Sequence, residues 1–166
     1  MVLTIYNHYH NNYQKRIVKS PKVNFYDTGL VSTLLKLKEH SQLSHHYIRG
    51  SLFENWVIAE YIKGRLNLGQ DADCYFRRDH TRNEVDLLIE TVDKPFPIEI
   101  KSGKTIKREF FRGIEHFEKV TGTSRSGLVY GGDQNQERNA TSVIFREQGP
   151  DTIDMITKEV SLLIHT

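Results

Sequence analysis

Cysteine is nearly missing from this chain. Cys74 is the only one in 166 residues, so no internal disulfide is available. No apolar run approaches the ~18 residues of a membrane-spanning helix, and no charged-then-apolar leader opens the sequence, so a cytoplasmic protein without a membrane partner is expected. One-sided charge is lacking too. With a net charge of +2, affinity for nucleic acid has to come from a local basic patch. A G-x-S-x-G elbow and a comparable cysteine setting are absent, which leaves Ser-His-Asp and Cys-His catalysis without a motif. Residues 102–105 read SGKT and imitate the end of a phosphate-binding loop. The loop pattern needs a glycine five residues before Gly103, and Ile98 stands there, so no ATP site is expected. No repeat or low-complexity segment divides the chain. It reads as a single domain over residues 1–166, with an N-terminal extension (1–49), a core (50–146) and a C-terminal segment (147–166).

What is present is ordinary globular material, 37% hydrophobic and 27% charged, organised around the run from Asn83 to Thr105. Glu84 to Glu90 alternates with period two, which sets Val85, Leu87 and Ile89 on one face and Glu84, Asp86, Leu88 and Glu90 on the other. Ile98 and Ile100 then oppose Glu99 and Lys101, and Val92 to Pro95 supplies the turn of a hairpin. If both apolar faces share one core, Asp86, Glu99 and Lys101 converge on the opposite face. Two carboxylates and the backbone oxygen of Ile100 suit a hard cation such as Mg²⁺ or Mn²⁺, and Lys101 would orient a nucleophile or offset transition-state charge. Opposite charges also occur on solvated hairpins, where each pair stabilises by only ~0.2–1 kcal/mol. The apolar setting favours chemistry, because carboxylates embedded in it are costly unless something pairs with them.

The remaining elements follow from their patterns. TIYNHYH near the N-terminus alternates like an edge strand, with a turn at Asn11-Asn12. His8 and His10 have no third ligand at metal spacing. Val23 to Tyr26 reads as a strand, and Asp27 or Thr28 caps a helix over Leu30–Lys38. Lys36 to Arg49 is either a loop or a short helix. Ser51 to Lys63 is an amphipathic helix stopped at Gly64. Glu54 has two readings there: the return partner in a Ser51-x-x-Glu54 capping box, or an acid of the site. Cys74–Arg78 is a strand. Arg77, Arg78, Arg82 and His80 crowd the next turn, either contacting phosphates or simply solvated. Ile106 to Val120 is a second core helix, with Phe110, Phe111, Ile114 and Phe117 inward. Lys104, Lys107, Arg108 and Arg112 near its start oppose the helix dipole, which makes them the candidate patch for nucleic-acid phosphates. Gly127 to Tyr130 is a buried strand, Gly131 to Ala140 a polar loop, Ser142 to Phe145 a last strand and Thr152 to Ile164 a terminal helix.

KSPKVNFYDTGL (19–30), GSLFENWVIAEYIK (50–63), NEVDLLIE (83–90), PIEIKSGKT (97–105) and GLVYGGD (127–133) together resemble the domain of unknown function 4143, found behind the ATPase core of many prokaryotic AAA-type ATPases. A helix-one acid followed by Asp and then Glu-x-Lys on successive strands resembles the PD-(D/E)XK nuclease superfamily. The Pro of that motif is replaced by Val85. The resemblance implies an α/β fold with a restriction-endonuclease-like core: helix, three strands, helix, strand, in a mixed sheet flanked by helices, with an N-terminal strand–helix extension. It implies Glu54, Asp86, Glu99 and Lys101 as catalytic positions. The expected function is Mg-dependent hydrolysis of DNA or RNA; the alternative is a non-catalytic binding module attached to an ATPase domain in cis or in trans.

Overall fold

The computed structural model describes residues 3–9, 21–91, 94–138 and 141–145. The Asn11-Asn12 turn, His10 and the helix expected over Thr152–Ile164 lie outside those residues. Two sheets are present among the described residues. β1 (Leu3–Tyr6) and β2 (Lys22–Phe25) form an antiparallel ribbon. The main sheet has six strands in the order β3-β4-β5-β6-β8-β7, built from β3 (Cys74–Arg78), β4 (Glu84–Ile89), β5 (Phe96–Lys101), β6 (Ser126–Tyr130), β7 (Gln136–Arg138) and β8 (Thr141–Phe145). β3, β4 and β5 are antiparallel neighbours, β5, β6 and β8 run parallel, and β7 returns antiparallel along β8. The architecture is α/β with a mixed sheet flanked by helices, as expected. β7 was not expected; three polar residues on a sheet edge carry no alternation to betray a strand.

Among the described residues the helices are α1 (Thr28–Leu34), α2 (His40–His45), α3 (Arg49–Asn67) and α4 (Arg112–Thr121), the last preceded by a 3-10 turn at Arg108–Phe111. Asp27 caps α1 through the N–H groups of Gly29 and Leu30. α3 does not stop at Gly64. One mid-helix glycine costs about 1 kcal/mol, too little to end a helix anchored by buried Tyr61 and Ile62. The stop is Gly69, whose φ of +70° permits the Gly69 N–H to Leu66 and Gln70 N–H to Arg65 closing bonds.

α3 covers one face of the sheet, packing Phe53, Val57, Ile58, Tyr61 and Ile62 on Leu87, Ile89, Phe96, Ile98 and Ile100. The opposite face receives Phe117 of α4 against Val85 and Leu88, and Phe110 against Leu128 and Tyr130. Val85 therefore does not share the face of Leu87 and Ile89 that strict alternation gives it, and lies instead with Leu88 on the α4 side. The β3–β4 register shifts between Tyr75 and Arg77, a bulge that places Val85 and Leu88, three apart, in one cluster.

Asn55 clamps the ribbon to α3. Asn55 accepts the Phe25 N–H at 2.8 Å and donates to the Phe25 carbonyl at 2.7 Å, replacing a strand partner for β2. His8 serves structure as well: its Nε2 lies 2.9 Å from the Arg78 carbonyl and 3.1 Å from the Arg78 N–H, at the end of β3.

Candidate functional site

The site begins where β4 and β5 part. Their ladder pairs Ile89 with Phe96, Leu88 with Pro97 and Leu87 with Ile98, and no register pair continues it toward Asp86. The Asp86 carboxylate turns into the fork, and its Oδ2 accepts the Ile100 N–H at 2.9 Å. Leaving that buried donor unpaired would cost about 1–3 kcal/mol, so local strand geometry and the acid's position are one feature. The same Oδ2 accepts Lys101 Nζ at 2.7 Å, and Glu99 Oε2 accepts that Nζ at 2.5 Å. Asp86 is 6% exposed and Glu99 3%. The expected convergence of Asp86, Glu99 and Lys101 is present. Ile100 meets Asp86 through its N–H.

The helix α3 brings Glu54 to the same place. Ser51 is the third residue of α3, whose N-cap is Ile48 with no side-chain cap bond, so the Ser51–Glu54 capping box does not form. Glu54 faces the sheet, and one oxygen each from Glu54, Glu84 and Asp86 lies within 4.8 Å of the others. Lys22 of β2 closes this side, donating to Glu54 Oε1 at 2.9 Å and pairing with Glu84. The N-terminal segment thus supplies a charge to the acids of the site. Arg78 Nε stands 3.7 Å from Glu84.

Helix α4 closes the site from the other face. A Cβ on Gly113 would fall 1.9 Å from Glu99 Oε1 and 2.2 Å from the Glu84 carbonyl oxygen, so only glycine allows the helix to lie this close. The β3–β4 turn is held by Asp79, whose carboxylate accepts from Thr81 and Asn83 and meets His116 of α4 at 2.9 Å. Between these elements lies a cleft of about 500 Å³, lined by Glu54, Glu84, Asp86, Glu99, Lys101 and Arg112, with Arg82 at its border.

Charge in the cleft is closely paired. Lys22 meets Glu54 and Glu84, Lys101 meets Asp86 and Glu99, and Arg82 and Arg112 line the same space. Burial, followed by the negative charge of Asp86, pushes the Glu99 carboxyl up to about 9 despite Lys101. Burial and Asp86 likewise raise Glu54, with Lys22 opposing. Burial disfavours both ammonium groups, but the acids outweigh it: Asp86 and Glu99 raise Lys101, and Glu54 and Glu84 raise Lys22. Burial and the neighbouring Asp86 thus favour the neutral form of Glu99 over its carboxylate.

The expected basic patch is dispersed. Arg112 borders the acidic cleft, whereas Lys104 lines a separate cleft with Arg49 and Trp56. Lys107 pairs with Glu109 at 3.7 Å, and Arg108 lies exposed in the 3-10 turn. The α-helix starts at Arg112, not Ile106, so the dipole argument reaches Arg112 alone. Arg77 leaves the phosphate-contacting set as well, stacking 5.0 Å over Phe117.

The sequence profile described as Domain of unknown function (DUF4143) matches residues 49–146. This chain belongs to that family. The DUF4143 match begins at the first residue of α3 and ends just past β8, so it covers Glu54, Asp86, Glu99 and Lys101 but not Lys22. Two uncharacterized proteins, Rv2008c of Mycobacterium tuberculosis and Mb2031c of Mycobacterium bovis, are each 27% identical over 124 residues, covering 74% of this chain and 26% of their own length. The chain spans about a quarter of the length of the curated relatives it matches. No solved structure matches it. Among the described residues no helix is long and apolar enough to cross a membrane.

Two contributors escaped the sequence reading. Glu84 precedes Asp86 by two residues on one strand, a period-two signal that was legible but left unused. Lys22 lies 32 residues from Glu54, and no spacing rule connects them.

Proposed function

We propose that this domain hydrolyses phosphodiester bonds with a divalent cation held by Asp86 and Glu99, as a nuclease resembling the PD-(D/E)XK superfamily with its restriction-endonuclease-like core. The observation that carries this reading is the Asp86 carboxylate set in the strand fork, sharing Lys101 with the buried Glu99. The donor set fits the ion: carboxylate oxygens only, with no thiolate or imidazole among them, suit Mg²⁺ or Mn²⁺ over softer metals. When bound, the ion lowers the pKa of water and offsets charge on the phosphate. Lys101 then presents its ammonium to the nucleophile and to the charge that grows in the transition state. Glu54 fixes water on the far side of Asp86. Arg112 and Arg82 meet flanking phosphates, with Lys104, Lys107 and Arg108 as weaker outlying contacts.

The sequence resemblance adds an AAA-type ATPase partner, in cis or in trans. A second reading has its own support: Lys101 already bridges both central carboxylates, and such a closed network can serve a binding module that never cuts. The test is incubation of pure protein with single-stranded, duplex and branched DNA and with RNA, under Mg²⁺, Mn²⁺ or chelator, beside Asp86→Asn. Cleavage that needs the metal and Asp86 is the expected result. Cleavage unchanged in Asp86→Asn would sink the assignment, and binding without cleavage would favour the module.

A further inference from the structure

The acids of the cleft define two cation positions. One lies between Asp86 and Glu99, which Lys101 Nζ bridges at 2.7 and 2.5 Å and from which the proposed mechanism turns it toward the nucleophile. The other lies among Glu54, Glu84 and Asp86, whose oxygens are within 4.8 Å of one another. Asp86 belongs to both. The second position is already served by Lys22, with Nζ 2.9 Å from Glu54 Oε1 and paired with Glu84.

Lys22 is held there from several sides. Its strand is fixed by the Asn55 clamp, and Asn55 directly follows Glu54, so acid and clamp share one turn of α3. The ammonium lies 5.0 Å from the centre of the Phe76 ring. An exposed ion pair pays side-chain entropy to hold its geometry; here strand, ring and two carboxylates set that geometry together. An ammonium brings one positive charge and three donors, without the tightly held waters of Mg²⁺.

We infer that Lys22 is a tethered cation standing in place of a second divalent ion, so that this cleft binds one metal where its carboxylates would otherwise bind two. The inference rests on the proposed metal site and adds its stoichiometry. It makes Lys22 a positioning residue: it fixes Glu54 and Glu84 and directs the incoming ion to the Asp86–Glu99 side.

Counting Mn²⁺ tests it. Bound and free Mn²⁺ are separated by electron paramagnetic resonance during titration of the whole chain, for wild type, Lys22→Met and Lys22→Gln. The wild type is expected to bind one ion, and each variant two. Adding Glu54→Gln to the variant should return the count to one. Lys22→Gln, which keeps length and polarity, carries the comparison if Lys22→Met does not fold. Equal counts of one in all proteins would overturn the inference and leave the metal reading standing. Two ions in the wild type would also overturn it, while no bound ion in any of them would remove both.

Discussion

Replacing Gly113 by alanine should destabilise this protein, although the same change inside an unencumbered helix stabilises one. Alanine is favoured over glycine in a helix interior by about 1 kcal/mol, and the Gly113 backbone is helical. The new methyl would sit 1.9 Å from Glu99 Oε1 and 2.2 Å from the Glu84 carbonyl oxygen. The backbone carbonyl cannot swing aside, so α4 has to back away from β4 and β5, carrying Phe117 and Arg112 with it. Overpacking of this kind costs about 1–3 kcal/mol. Disturbing the buried Glu99–Lys101 contact adds to that, because breaking one side of a buried pair costs about 3–5 kcal/mol. Against the helical gain of about 1 kcal/mol, the net loss is at least about 3 kcal/mol, or a Tm lower by at least roughly 6–12 °C at ~2–4 °C per kcal/mol for a chain of this size. Gly50, in the first turn of α3 with nothing within 4 Å of its Cβ position, is the control. Gly50→Ala should raise Tm by ~1–3 °C. Thermal unfolding followed by circular dichroism compares the two, and a Gly113→Ala protein that matched Gly50→Ala would refute the close approach of α4 to the acids.

Four further outcomes are expected. Because the folded-state Glu99 carboxyl is raised from 4.5 to about 9, its contribution is complete below pH ~4.5 and is lost as pH rises toward 9; urea melts of the metal-free protein should show a loss of at most about 1.4 kcal/mol per pH unit, and a slope unchanged in Glu99→Gln would exclude Glu99 as its source. Mn²⁺ affinity should rise up to tenfold per pH unit over that window, as Glu99 gives up its proton on binding; a flat profile by calorimetry would contradict it. Lys101→Ala should cut the cleavage rate far more than nucleic-acid affinity, since the ammonium acts mainly in the transition state; equal losses in single-turnover rate and in Kd would count against that role. Arg112→Ala should weaken nucleic-acid binding and lower the salt slope by about one, with Lys104→Ala changing less, and the opposite ranking in filter binding would restore the patch as first read.

The sequence was legible where a pattern is local. The strand over Cys74–Arg78, the Asp27 cap, the apolar face of α3 and the meeting of Asp86, Glu99 and Lys101 all follow from period, capping chemistry and short spacing. It was illegible where tertiary contact decides. Gly64 resembles a helix stop, but packing of Tyr61 and Ile62 carries α3 to Gly69. Val85 alternates with Leu87 and Ile89, but a bulge moves it to the opposite face beside Leu88. Lys104 to Arg112 resembles the charged start of one helix, and the 3-10 turn scatters its members. Ser51 and Glu54 fit a capping box, yet the helix starts earlier and frees Glu54 for the cleft.

The Asn55 amide also bears on where this protein can be cut. A fragment trimmed to the family span would begin at Arg49, keeping Asn55 and discarding the Phe25 backbone to which it is bonded. Its Glu54 and Glu84 would lose their nearest counter-charge in the same stroke. Such a fragment would keep Glu54, Glu84, Asp86 and Glu99, and would still be a poorer and differently charged object than the parent. For recombinant work and for grafting this module onto other proteins, the smallest transferable unit therefore starts upstream of the ribbon.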